Sequence, residues 1–114
     1  MSASKVRRAS VKERKIEDYL RAEVEAHGGL YDKFVSPGRR GVPDCIITWQ
    51  RYGWAQIDFV ECKTIGGKLD PLQEEDHKRR RAKGCIVHII WSVKGVDDYI
   101  LLHADSYDGE FIRG

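Results

Sequence analysis

The residues best suited to chemistry in this 114-residue chain are one aspartate and one acidic–basic triplet. Val42-Pro43-Asp44 opens one apolar stretch and Phe59-Val60-Glu61-Cys62-Lys63 closes the next, with sixteen residues between Asp44 and Glu61. Side chains alternate along a strand, so Glu61 and Lys63 share a face and Cys62 takes the other. Two carboxylates and an amine at the ends of adjacent apolar strands are costly to desolvate unless something pairs them. A divalent metal ion does so, and hard oxygen ligands suit Mg²⁺ or Mn²⁺ better than zinc.

The elements that must position these groups can be read from periodicity and punctuation. Ile16, Leu20 and Val24 recur every four residues, which predicts a helix from Val11 to about His27, stopped by Gly28–Gly29. At the helical angle per residue, Glu13 falls closer to the centre of that apolar stripe than Glu17, which lies at its edge. Glu13 is therefore aimed more nearly inward, and it reads either as a further site carboxylate or as a first-turn residue favoured by the helix dipole. Leu30–Val35 reads as a short strand and Ser36–Gly41 as a turn-rich loop. Asp44–Trp49 and Ala55–Lys63 form a hairpin about the turn Tyr52–Gly53. A second helix runs from Pro71 to about Lys83, with Asp70 as N-cap and Gln73 completing a capping box. Cys85–Trp91 is a continuous apolar run, expected to be a strand covered on both faces. A short helix is expected near Val96–Leu102. The order α-β-β-β-α-β predicts an α/β fold, a mixed central sheet flanked by helices.

Composition bounds the rest. Residues 11–114 make one domain after a polar, flexible stretch of ten, and no apolar run approaches the roughly 18 residues of a membrane span. The N-terminus lacks the apolar stretch of a secretory signal, so the expected place of work is the cytoplasm. Net charge is +2, yet the basic residues cluster at Lys5–Lys15, Arg39–Arg40 and Lys78–Arg81. Such patches suit a polyanion, and the last of them reads equally as a solvated helix face. The three cysteines, Cys45, Cys62 and Cys85, lack zinc-site spacing and fall in apparent strands, where small buried hydrophobes are expected. The four histidines are scattered, with none three to five residues from another.

Asp44 after Pro43, followed by Glu61-Cys62-Lys63, resembles the PD-(D/E)xK nuclease signature. Its surroundings narrow the likeness. Ser36-Pro-Gly-Arg-Arg-Gly-Val-Pro-Asp44, Phe59-Val-Glu-Cys-Lys63 and Gly67-Lys-Leu-Asp-Pro-Leu-Gln73 resemble the VRR-NUC branch, and Glu13-Arg-Lys-Ile-Glu-Asp-Tyr-Leu20 fits its first helix. The likeness spans about Glu13 to Leu102 and is to the stand-alone phage and bacterial form.

That resemblance implies a restriction-endonuclease-like core and metal-dependent hydrolysis of phosphodiester bonds. By it, Asp44 and Glu61 ligate Mg²⁺ or Mn²⁺ together with the Cys62 backbone carbonyl. Lys63 positions the attacking water, and Glu13 completes the site directly or through water. Gln73 faces the same pocket or serves the capping box, and the two roles are compatible. Arg39, Arg40 and Lys68 are placed to hold DNA phosphates, each with an ordinary exposed charge as the alternative. The family also implies branched DNA, four-way junctions in particular, as substrate for a homodimer. Flaps, linear duplex and non-cleaving binding are the rival readings.

Overall fold

The computed structural model describes residues 11–103. The elements are α1 (Val11–Ala26), β1 (Leu30–Lys33), β2 (Cys45–Arg51), β3 (Trp54–Cys62), α2 (Pro71–Ala82), β4 (Ile86–Ile90) and α3 (Val93–His103). The four strands form one sheet in the order β1-β2-β3-β4. The first three run antiparallel, and β4 joins β3 in parallel after the crossover through α2. The polar first ten residues and the tail from Ala104 lie outside the described residues. No helix among the described residues is long and apolar enough to cross a membrane.

The α1 stripe of Ile16, Leu20 and Val24 is buried as its spacing requires. It packs with Cys45, Ile47 and Trp49 of β2, Val60 and Cys62 of β3, and Val96, Tyr99 and Ile100 of α3. Burial pushes the Cys45 and Cys62 thiols up, which leaves them inert fillers of the core. Cys85 departs from the expectation: it precedes β4 and is only half-buried. The cover over β4 is also thinner than its apolar sequence implies. As the outer strand of the sheet it leaves Ile86 39% exposed.

A polar network lies under α3. Trp49 Nε1 donates to Tyr99 Oη at 2.9 Å, and Tyr99 Oη donates to the buried Asp58 carboxylate at 2.6 Å. His88 and His103, fifteen residues apart, meet there with their Nε2 atoms 3.0 Å apart. Linear spacing could not show this, because β4 and the last turn of α3 bring them together. Burial holds both histidines below their ordinary 6.5, in each case against a raising influence from Asp58.

The unfolded chain therefore takes up these protons first as pH falls. The stability they contribute is full above about pH 6.5 and is lost on the acid side as pH falls toward the folded values. The Tm is expected to drop between about pH 7.5 and about pH 5.5, and to drop less in His88→Gln. Equal drops in thermal melts of the two proteins would assign the acid sensitivity to other groups.

Candidate active site

Asp44 stands one residue before β2, and its Oδ2 accepts the backbone N–H of Cys62 at 2.7 Å. The next amide, of Lys63, donates to Ile90 O on β4 at 2.8 Å. The end of β3 is thus held from both sides. Alternation then sends Cys62 into the core and Glu61 to the opposite face, under α2. Glu61 is fully buried. Its Oε2 accepts from Gln73 Nε2 at 3.0 Å and lies 3.9 Å from Lys63 Nζ. Its Oε1 has no hydrogen-bond partner. A buried, unpartnered carboxylate oxygen one residue from the Asp44 anchor is a donor that a hard cation accepts, so the oxygen set fits Mg²⁺ or Mn²⁺.

Gln73 makes the capping-box contacts and the contact with Glu61 at once. Its amide oxygen accepts from Asp70 N at 3.0 Å while its own N–H donates to Asp70 Oδ1 at 2.9 Å, closing the capping box. The NH₂ end of the same amide remains for Glu61. One side chain fixes the start of α2 and the orientation of the carboxylate beneath it.

On α1 both acids turn inward. Glu13 is 7% exposed and Glu17 is 9% exposed, so Glu17 is more deeply placed than its position at the stripe's edge implied. Lys33 Nζ donates to Glu17 Oε1 at 3.0 Å. Burial pulls the Lys33 pKa down, but the Glu17 hydrogen bond and the charges of Glu17 and Asp44 outweigh it and leave it raised. Lys33 opposes Cys45 in the β1–β2 register, next to Asp44. The structure thus gathers Asp44, Glu61, Lys63 and Gln73, and links Glu17 to them through Lys33. Glu13 is buried one helical turn earlier.

Comparison with known proteins settles the family. No protein-family model matches the chain. A phage protein from Acyrthosiphon pisum secondary endosymbiont phage 1, "Putative nuclease p44", is 46% identical over 80 residues, covering 70% of this chain and 83% of that one. A solved "VRR_NUC domain" superposes with a TM-score of 0.73 at 36% identity, covering 82% of this chain and 98% of the other. The chain belongs to the VRR-NUC nucleases. A 61-residue stretch is also 34% identical to the S-adenosylmethionine decarboxylase proenzyme of Thermotoga maritima, of which it spans 45%.

In this VRR-NUC chain the basic residues divide into two groups. Arg39 Nη2 and Arg80 Nε each lie 2.7 Å from an oxygen of the buried Asp76, and Arg80 stacks over the Phe34 and Phe59 rings. Arg81 donates to Val87 O at 2.9 Å. Arg40, Lys68, Lys78 and Arg79 are exposed. The Lys78–Arg81 run is therefore part scaffold and part surface. Arg39, Arg40 and Arg79 line one groove with Asp76.

One residue of the site escaped the sequence reading. His77 is 1% exposed, its Nε2 lies 3.7 Å from Glu61 Oε1, and neither ring nitrogen has a hydrogen-bond partner. Its position four residues after Gln73, on the same face of α2, was the signal available.

The loop that delivers Asp44 crosses the start of α2 at Gly41. Its φ is +81°, and an added Cβ would stand 2.5 Å from Leu72 O. Gly41→Ala is expected to cost about 1–3 kcal/mol in urea unfolding, through left-handed backbone strain and this contact. An unchanged midpoint would show that the loop moves freely there.

Proposed function

We propose that this VRR-NUC chain is a divalent-metal-dependent DNA endonuclease that hydrolyses phosphodiester bonds in branched DNA, four-way junctions in particular. The reading is carried by Glu61 Oε1, buried and without a hydrogen-bond partner, with His77 Nε2 3.7 Å away, beside the anchored Asp44 and the amine of Lys63. A structural ion pair would satisfy that oxygen from within the protein. An acid kept ready for an outside cation leaves it open.

In this reading Asp44, Glu61 and the Cys62 carbonyl hold Mg²⁺ or Mn²⁺, with Glu13 completing the set directly or through water. The bound ion supplies Lewis acidity toward a phosphodiester and lowers the pKa of water. Lys63, whose Nζ lies 3.9 Å from Glu61 Oε2, positions the attacking water and offsets charge on the phosphate. Gln73 keeps the Glu61 carboxylate from rotating. Glu17 shares the acidic wall through Lys33. Arg40 and Lys68 contact phosphates flanking the scissile bond, and Arg39 does so while bound to Asp76. Symmetric incision of a four-way junction needs two sites, and the described residues 11–103 supply one. The active form is therefore a homodimer. Its substrate places it in the cytoplasm of a bacterial or phage-infected cell.

A labelled immobile four-way junction and a matched linear duplex, each with Mg²⁺, Mn²⁺ or EDTA, provide the test. Paired incisions near the crossover are expected only with metal. Lys63→Ala and Asp44→Asn are expected to lower cleavage by about a hundredfold or more while keeping the circular dichroism of the wild type. Equal cutting of the duplex would remove the junction preference, and tight binding without cleavage would leave a binding module.

The two arginines of the loop should behave differently. Arg40→Ala is expected to weaken DNA binding and flatten its salt dependence without changing the Tm. Arg39→Ala is expected to lower the Tm as well, because Asp76 is buried and keeps only Arg80. Identical melts for the two variants would show that the Arg39–Asp76 pair is not structural.

A further inference from the structure

Among the described residues, one set of three His, Cys, Asp or Glu side chains converges closely enough to share an ion, and it is not at the nuclease site. Asp58, His88 and His103 each present one donor atom within 4.8 Å of the others. They come from β3, β4 and the last turn of α3. Asp58 is three positions from Glu61 on β3 and so faces the other side of the sheet. We propose that this cluster is a second metal site, binding a transition-metal ion such as Zn²⁺ or Co²⁺ that clasps α3 to the sheet.

The hydrogen bonds show how an ion would enter. Arg51 Nε donates to Gln56 Oε1 at 3.2 Å, which turns the Gln56 NH₂ toward Asp58 Oδ1 at 3.0 Å and His103 Nδ1 at 2.9 Å. His103 Nδ1 then accepts, so the neutral ring carries its proton on Nε2. That proton points at His88 Nε2, 3.0 Å away. Two imidazole nitrogens share one hydrogen, with Asp58 Oδ2 3.8 Å from one of them. A divalent ion taking that position has two nitrogen ligands and one carboxylate ligand when the His103 proton moves from Nε2 to Nδ1, so both rings ligate neutral and no proton is released.

The surroundings suit the exchange. Burial favours the neutral, ligating form of both rings. The last turn of a helix favours positive charge, and His103 sits there. A ligating histidine needs an acceptor for its other N–H. The Gln56 amide supplies one to His103 Nδ1 by turning end for end, which gives up its bonds with Arg51 Nε and Asp58 Oδ1 and frees the carboxylate for the ion. Imidazole nitrogens select Zn²⁺, Co²⁺ or Ni²⁺ over the Mg²⁺ that the oxygen set on the other face prefers. The two sites are therefore chemically separable in one protein.

The untagged 114-residue chain titrated with Co²⁺ gives the test, because an intense visible band marks low-coordinate Co²⁺, whereas an octahedral oxygen site absorbs only weakly. One equivalent is expected to produce a visible band that Zn²⁺ abolishes. Zn²⁺ at about a hundredfold excess over its Kd is expected to raise the Tm by at least about 4 °C. Asp44→Asn should keep both responses, and His88→Gln should lose both. Should His88→Gln fail to fold, imidazole ¹⁵N shifts of the wild-type protein decide. Those of His88 and His103 should move on adding Zn²⁺, and those of exposed His27 should not. No band and no Tm rise in the wild type, an unchanged response in His88→Gln, its loss in Asp44→Asn, or unmoved His88 and His103 shifts would each overturn the second site.

Discussion

The backbone ladder between β2 and β3 ends at the pair Cys45 and Val60, and one side chain carries it a rung further. Asp44 accepts the Cys62 N–H at 2.7 Å, doing with a carboxylate what a carbonyl does elsewhere in the sheet. An ordinary strand end frays. This one is held by the Asp44 carboxylate on one side and by Ile90 O through the Lys63 amide on the other. Because Cys62 is fixed, its alternation partner Glu61 cannot turn from α2, and Lys63 must follow on the same face. Everything acidic on that face depends on a bond whose acceptor is itself acidic.

The arrangement is costly to keep. Glu61 and Lys63 are both buried, 3.9 Å apart, with His77 alongside and with polar atoms left unsatisfied. Each such atom forgoes a hydrogen bond with water and gains none from the protein. The opposite face of the sheet offsets this with the close-packed cluster of Leu20, Val24, Ile47, Trp49, Val60 and Val96, all essentially without exposure. One face supplies stability and the other spends it, which is the usual division where a site needs groups that would prefer solvent.

Much of this was legible in the sequence because it is local. The α1 stripe, the Asp70–Gln73 capping box and the hairpin about Tyr52–Gly53 are each set by residues within a few positions of one another. The D…ExK spacing is a property of that hairpin, so its register brings Asp44 and Glu61 to the same open end. What escaped depends on tertiary contacts. Glu17 sits at the edge of the apolar stripe and turns inward because Lys33 of β1 meets it. His77 has an unremarkable position on a strongly polar helix, and only the docking of α2 over Glu61 shows its burial. His88 and His103 are separated by a strand end and a helix. The exposure of Ile86 follows from sheet order, which an apolar run does not state.

The first and last described helices pack against each other, and Tyr19 Oη donates to Asp97 Oδ1 at 2.6 Å between them. Every residue proposed for cleavage precedes α3 in the chain. During synthesis the acids, the lysine and Gln73 therefore emerge before Val96, Tyr99 and Ile100, which close the core beneath them. A nascent chain short of Val93 holds the full set of cleavage groups without the packing that orders them. The last described helix thus contributes packing, and none of the proposed cleavage groups, to the apolar face on which α1 and the sheet rest.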